Sequence, residues 1–176
     1  MTGGILLRDT TSLRKGFAMS HLTNLRRTME EDTVASLPLR EPIQVLPATI
    51  VRAAVAMMRH RQLGCAVIAE RGHPLGIFTE RSLLDVLIRD ASLDNLPVRD
   101  FADENFRCVR RSDPIAKVWD AIQRDGLRFI CVTSDEGQLV GLTGQRGLAE
   151  YVAECFPQHV MGQRFGPAWL AEREGA

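Results

Sequence analysis

Two stretches of the chain, GIFTERSLL from Gly76 to Leu84 and GLTGQRGLA from Gly141 to Ala149, share one outline and hold the side chains best suited to chemistry. Each sets an arginine five residues after its first glycine, Arg81 in one and Arg146 in the other. A guanidinium is a rigid, permanently charged fork that fits a phosphate or carboxylate bidentately. Arg110, Arg111 and Arg128 add further forks, although the default state of an arginine is a solvated surface charge. The hydroxyls of Thr79 and Ser82 have a second use: Ser82-Leu83-Leu84-Asp85 fits a capping box in which Ser82 opens a helix, and Thr79 can equally serve as the cap. This is the chemistry of ligand binding. No Gly-x-Ser-x-Gly elbow, phosphate-binding Gly-x-x-x-x-Gly-Lys or paired carboxylate nominates a nucleophile or a general base, so the chain reads as a non-enzyme. His21, His60, His73 and His159 lack metal-ligand spacing and read as surface or turn residues, and no metal site is expected. Cys65, Cys108, Cys131 and Cys155 form no Cys-x-x-Cys pair and read as reduced, buried thiols.

The elements that must position these residues come as an internal repeat, the first thing to look for in a chain of this kind. Val45 matches Val109 and Gly76 matches Gly141, with one extra residue where Glu70-Arg71-Gly72 becomes Ser134-Asp135-Glu136-Gly137. In each copy a short apolar strand (Ile43 to Leu46; Phe106 to Val109) precedes a helix-opening signal, Thr49 in the first and Asp113-Pro114 in the second, with Pro114 at the first helical position. Helical periodicity follows through Ile50, Ala53, Ala54, Met57 and Met58, and through Ile115, Val118, Trp119 and Ile122. Paired apolar runs joined at Gly72 or Gly137 predict hairpins over Cys65 to Phe78 and Phe129 to Leu142. A last amphipathic helix closes each copy, with Leu83, Leu84, Leu87 and Ile88 or with Leu148, Tyr151, Val152 and Cys155 facing inward. The unit is β-α-β-β-α, stated twice.

The predicted organisation is an N-terminal segment (1–37), with a helix marked by Leu22, Leu25 and Met29, a first unit (38–91), a polar connector (92–97), a second unit (98–156) and a tail (157–176) containing Trp169. A chain of 176 residues buries roughly 70% of its extended surface, enough for a core without staples. Hydrophobic residues at 45% and charged residues at 25% lie at the globular average. Lys plus Arg and Asp plus Glu both total 22, which removes the positive field that draws proteins to nucleic acid or acidic membranes. The apolar runs are too short for a membrane span, and Ile5-Leu6-Leu7 is too short for a signal-peptide core, so a soluble, cytoplasmic protein is expected.

The tandem unit, with a Gly-apolar-x-Thr pattern leaving its third strand, resembles the CBS domain pair, or Bateman module, over about residues 38–156. The resemblance implies an α/β fold in which two CBS units pack with pseudo-two-fold symmetry and form clefts for adenosyl ligands: AMP, ADP, ATP or S-adenosylmethionine. It also implies a homodimer that regulates a further protein, with no cofactor required. Ligand contacts are expected at Gly76, Ile77, Thr79, Arg81, Ser82, Arg128, Gly141 and Arg146, of which Arg81 and Arg146 rest on their matching places in the two copies rather than on the family pattern. Two departures bear on that chemistry. Ser82 stands where the family places a ribose-binding carboxylate, and the second copy has Gly144 and Gly147 in place of the hydroxyl and the acid. Charge-assisted bonds lost in this way typically cost about 1.5–3 kcal/mol each. The rival expectation is therefore a ligand-free interaction module acting through dimerisation, its clefts filled by side chains around Phe78 and Phe129.

Overall fold

Residues 24–89, 92–103 and 105–155 are described by a computed structural model. Helix α1 covers residues 24–31, and the order continues β1 (Gln44–Val45), α2 (Val51–Arg61), β2 (Cys65–Glu70), β3 (His73–Thr79), α3 (Glu80–Ile88), β4 (Cys108–Arg110), α4 (Ile115–Asp125), β5 (Phe129–Thr133), β6 (Leu139–Gly144) and α5 (Gln145–Cys155). Two three-stranded sheets result, β1-β2-β3 and β4-β5-β6, each with one parallel and one antiparallel pair. The β-α-β-β-α repeat is present as read. Leu22 and the segment from 156 to 176, with Trp169, lie outside the described residues.

The central strands are solid apolar runs because both faces are covered. Ala66, Ile68 and Phe78 face the helices of the first unit with Val51, Ala54, Met58 and Val86. Cys65, Val67, Ile77, Cys131 and Leu142 fill the layer between the two sheets. The first hairpin turns on Arg71 and Gly72, both at positive φ (51° and 80°), the two-residue geometry that matches strand twist.

Several local expectations are corrected. The cap of α2 is Ile50, not Thr49, and Pro114 is itself the cap of α4, one position before the helix. In α2 the buried stripe is Val51, Ala54 and Met58, while Ala53 and Met57 face solvent. In α3 the inward residues are Ser82, Leu83 and Val86, whereas Leu84, Leu87 and Ile88 are exposed. Cys108 and Cys155 are exposed, Cys108 because the short edge strand β4 alternates with only Val109 turned inward.

The two units are interlocked by their leading segments. Val34 N–H donates to Asp113 O and Arg40 pairs with Leu142, so residues 33–40 lie on the second unit although they precede the first. Reciprocally, Asp103 pairs with Ile77 and so lies on the first unit. Helix α1 joins the same crossover: Met29 is buried in the second unit's core and the Tyr151 hydroxyl donates to Asp32 Oδ2 at 2.6 Å.

Candidate functional site

Where β3 runs into α3, backbone polarity has to be satisfied at a helix N-terminus, and here the chain does so internally. Ser82 N–H donates to Thr79 Oγ1 at 3.2 Å, and Thr79 N–H donates to Ser82 Oγ at 3.1 Å. This is a reciprocal capping box in which Thr79, not Ser82, is the cap. Ser82 thus stands at the third helical position with its hydroxyl turned back on the strand, buried.

Beside this junction is a cleft of about 190 Å³ built from both units: Ile77, Thr79, Glu80 and Arg81 from the first, Leu127, Arg128 and Phe129 from the second, and Asp103 and Asn105 between them. A second hollow of about 410 Å³ shares Arg81, Asp103 and Asn105 with it and reaches Ser82, Asp85 and Phe101. Arg128 spans the units, 3.6 Å from Glu80 Oε2 and over the Phe129 ring at 5.5 Å. Asp103 is fixed by its N–H bond to Ile77 O at 2.8 Å and accepts from Asn105 N–H at 2.9 Å. Burial pushes the Cys65 thiol up to about 12, helped by the Glu80 carboxylate and opposed by Arg128, so this thiol stays protonated beneath the cleft.

The pseudo-equivalent junction of β6 and α5 is tighter. It encloses only about 50 Å³, lined by Pro38, Arg40, Arg128, Phe129, Thr143 and Arg146 among others. Leu39 occupies the approach to Gly141, where a Cβ would meet its side chain at 3.1 Å.

Of the residues singled out in the sequence, Ile77, Thr79, Arg81 and Arg128 come together in the first cleft, with Ser82 in the adjoining hollow. Arg146 lines the second cavity, on which Arg128 also borders. Gly76 and Gly141 line neither; they lie in the strands beneath, packed on Ala102 and Leu39. Phe78 is fully buried in the first unit's core and leaves the clefts free, while Phe129 forms a shared wall. Asp103, Asn105 and Arg40 were not anticipated; each reaches its cleft through the crossover, which leaves no local pattern. Among the described residues, no group of three or more His, Cys, Asp or Glu side chains could hold a metal ion, and no helix is long and apolar enough to cross a membrane.

Solved structures share this architecture. A CBS domain protein from Pyrobaculum aerophilum, complexed with AMP, matches with TM-score 0.62 at 23% identity, over 66% of this chain and 90% of that one. The CBS domain pair of protein MJ0100, in complex with 5′-methylthioadenosine and S-adenosyl-L-methionine, matches with TM-score 0.61 at 14% identity, over 70% and 97%. A protein described as a putative acetoin utilization protein, from Vibrio cholerae, matches with TM-score 0.63 at 15% identity, over 74% and 96%. No curated protein sequence matches the chain. The family model for the CBS domain matches twice, over residues 34–89 and 98–154, well over half the chain, and these two matches fall on the two interlocked sheets and their helices: the chain belongs to the CBS domain family as a tandem pair.

Proposed function

We propose that this protein is a non-enzymatic regulatory module that binds an adenosyl ligand in the first cleft and signals to a separate partner protein. The observation that carries the reading is the composition of the cleft wall: Thr79 and Arg81 from one unit face Arg128 and Phe129 from the other. A ligand there touches both units, so its affinity depends on how they are arranged, which is the condition for a ligand to shift a conformational equilibrium. The AMP complex and the methylthioadenosine and S-adenosylmethionine complex of the two relatives support the ligand class. Glu80, Asp103 and Asp125 outnumber Arg81 and Arg128 around the cleft. That balance favours ligands of low negative charge, AMP or S-adenosylmethionine over ATP.

The test is thermal unfolding against AMP, ADP, ATP and S-adenosylmethionine, in the wild type and in Thr79→Ala. A ligand at 100 times its dissociation constant adds about 2.7 kcal/mol of stability. Thr79→Ala loses a cap worth about 1 kcal/mol even without ligand, so the readout is each variant's midpoint shift relative to its own ligand-free state. A shift abolished by the substitution supports the reading; a flat response to all four at millimolar ligand refutes it and leaves the ligand-free interaction module. The reciprocal bonding of Thr79 and Ser82 favours that second reading, because both hydroxyls are already engaged.

The module is proposed to work as a homodimer. Leu84, Leu87 and Ile88 of α3 are 57%, 52% and 81% exposed, an apolar stripe of the kind that marks association surfaces. A second copy of this chain is the occupant. Light scattering is expected to give twice the chain mass at micromolar concentration, falling to one chain in Leu87→Glu; a wild-type monomer would sink the proposal.

A further inference from the structure

Cys108 and Cys131 face each other in the register of β4 against β5. Residues so paired turn their side chains to the same face of a sheet, and neighbouring strands stand about 4.7–4.9 Å apart. That spacing lies within the Cα separation of about 4.4–6.8 Å that a disulfide spans. The register is pinned on both sides of the pair: Cys131 N–H donates to Arg107 O at 3.1 Å, and Arg111 N–H donates to Thr133 O at 2.8 Å. The two thiols are held opposite each other by backbone.

Their access to solvent differs. Cys108 lies on the edge strand of its sheet and is exposed, whereas Cys131, on the central strand, is 0% exposed in the layer between the sheets. A dissolved oxidant therefore meets Cys108 first. A hydrogen bond between the thiols holds the Cys108 sulfur below the usual thiol range, while that same bond, with burial, pushes Cys131 up. Reactive cysteines are partly exposed and deprotonate easily, and buried ones are inert until a neighbour reacts. Cys65 shares the buried layer but sits on β2 of the other unit, itself 0% exposed and opposite Thr79.

We propose that Cys108 and Cys131 form a peroxide-oxidisable pair, in which Cys108 is the nucleophile and Cys131 resolves it to a cross-strand disulfide. The Cys108 sulfur attacks one oxygen of hydrogen peroxide, the O–O bond breaks, and the departing hydroxide takes up the proton that Cys108 had released. Water leaves and Cys108 carries a sulfenic acid. The Cys131 sulfur then gives up its proton and attacks the Cys108 sulfur; the S–S bond forms as the S–O bond breaks, and the hydroxide leaves with that proton as a second water. Two thiols together lose two electrons, and one peroxide is reduced to two waters. The pair does not depend on the adenosyl reading, because its readout is thiol chemistry alone.

The experiment treats the reduced full chain with a small molar excess of hydrogen peroxide, blocks remaining thiols by alkylation, and maps the digest by mass spectrometry without reductant. A peptide joining Cys108 to Cys131 is expected, lost again on treatment with dithiothreitol, as a disulfide is and a sulfinic acid is not. Cys155 on α5, the other exposed thiol, is the reference, and before oxidation it should be alkylated about tenfold more slowly than Cys108. Cys108→Ser should abolish the crosslink and leave Cys131 reduced. Cys131→Ala should halt the reaction at sulfenic acid and raise dimedone capture at Cys108 severalfold over the wild type. Circular dichroism checks that both variants fold; Cys108→Ser, at an exposed position, and the wild-type map decide if Cys131→Ala does not. A crosslink of Cys131 to Cys65, wild-type sulfenic acid at Cys108 that never becomes a crosslink, Cys155 reacting as fast as Cys108, or thiols unchanged by peroxide overturns the proposal.

Discussion

Phe78→Ala is expected to lower the unfolding free energy by about 3–5 kcal/mol, the range for removing a buried aromatic ring from a packed core. Phe78 is fully buried and is the bulkiest of the completely enclosed side chains, set among Val45, Val51, Val86 and Val98. Its neighbours come from a strand, two helices and the leading segment of the second unit, so no single element can move in to close the void. Domains of this kind have total stabilities of about 5–15 kcal/mol, so the variant sits near the edge of folding. Urea denaturation monitored by circular dichroism measures the loss directly, provided the slope with denaturant is unchanged. The adjacent Ile77→Val, in the layer between the sheets, should cost only about 0.5–1.5 kcal/mol. A Phe78→Ala loss below that of Ile77→Val would mean that the first unit's core is not packed as described.

Gly144→Ala is the second substitution with a large expected effect, and it adds only a methyl group. The new Cβ would fall inside the contact radius of Arg128 O and 3.0 Å from Arg128 C, both backbone atoms held by the pairing of Phe129 with Gly144. Backbone cannot swing aside as a side chain can, so β5 and β6 must part locally and Arg128 must leave the wall it shares between the cavities. Overpacking of this kind costs about 1–3 kcal/mol or more. Gly126→Ala is the comparison: nothing lies within 4 Å of its Cβ, and only the left-handed backbone at φ +67° opposes the side chain, a cost of about 1–2 kcal/mol. The discriminating measurement is ligand response. Gly144→Ala should lose the AMP response because Arg128 leaves the first cleft's wall, and a Gly144→Ala protein with an unchanged AMP response would contradict the geometry.

The repeat could be read from the chain because its signals are local. Cys65 to Ile68 and Phe129 to Val132 are unbroken apolar runs, and Gly72 and Gly137 mark the turns between paired strands. The capping chemistry at Thr79 and Ser82 was visible for the same reason, though which hydroxyl led was decided by the length of β3. Helix α3 was misphased because Leu83, Leu84, Leu87 and Ile88 make an apolar stripe as regular as a core face. The true inward side contains Ser82, which no hydrophobic pattern selects. Arg40 and Asp103 were missed because each is placed by one isolated bridge to a strand of the opposite unit, a pairing without periodicity on either side. The glycines of the second motif read as lost ligand contacts; in the fold Gly144 and Gly147 make room, for Arg128 backbone and for Pro38 O and Thr143 Oγ1.

The crossover of residues 33–40 onto the second unit also sets an order for biosynthesis. Asp32 and its partner Tyr151 are 119 residues apart, so at roughly 5–20 residues per second the leading segment waits about ten seconds on the ribosome before its docking surface is translated. During that interval Met29, Val34 and Leu37, all destined for the second unit's core, have nowhere to bury. The nascent first half therefore carries this apolar surface uncovered, and contacts of such long sequence separation form slowly even once the chain is released.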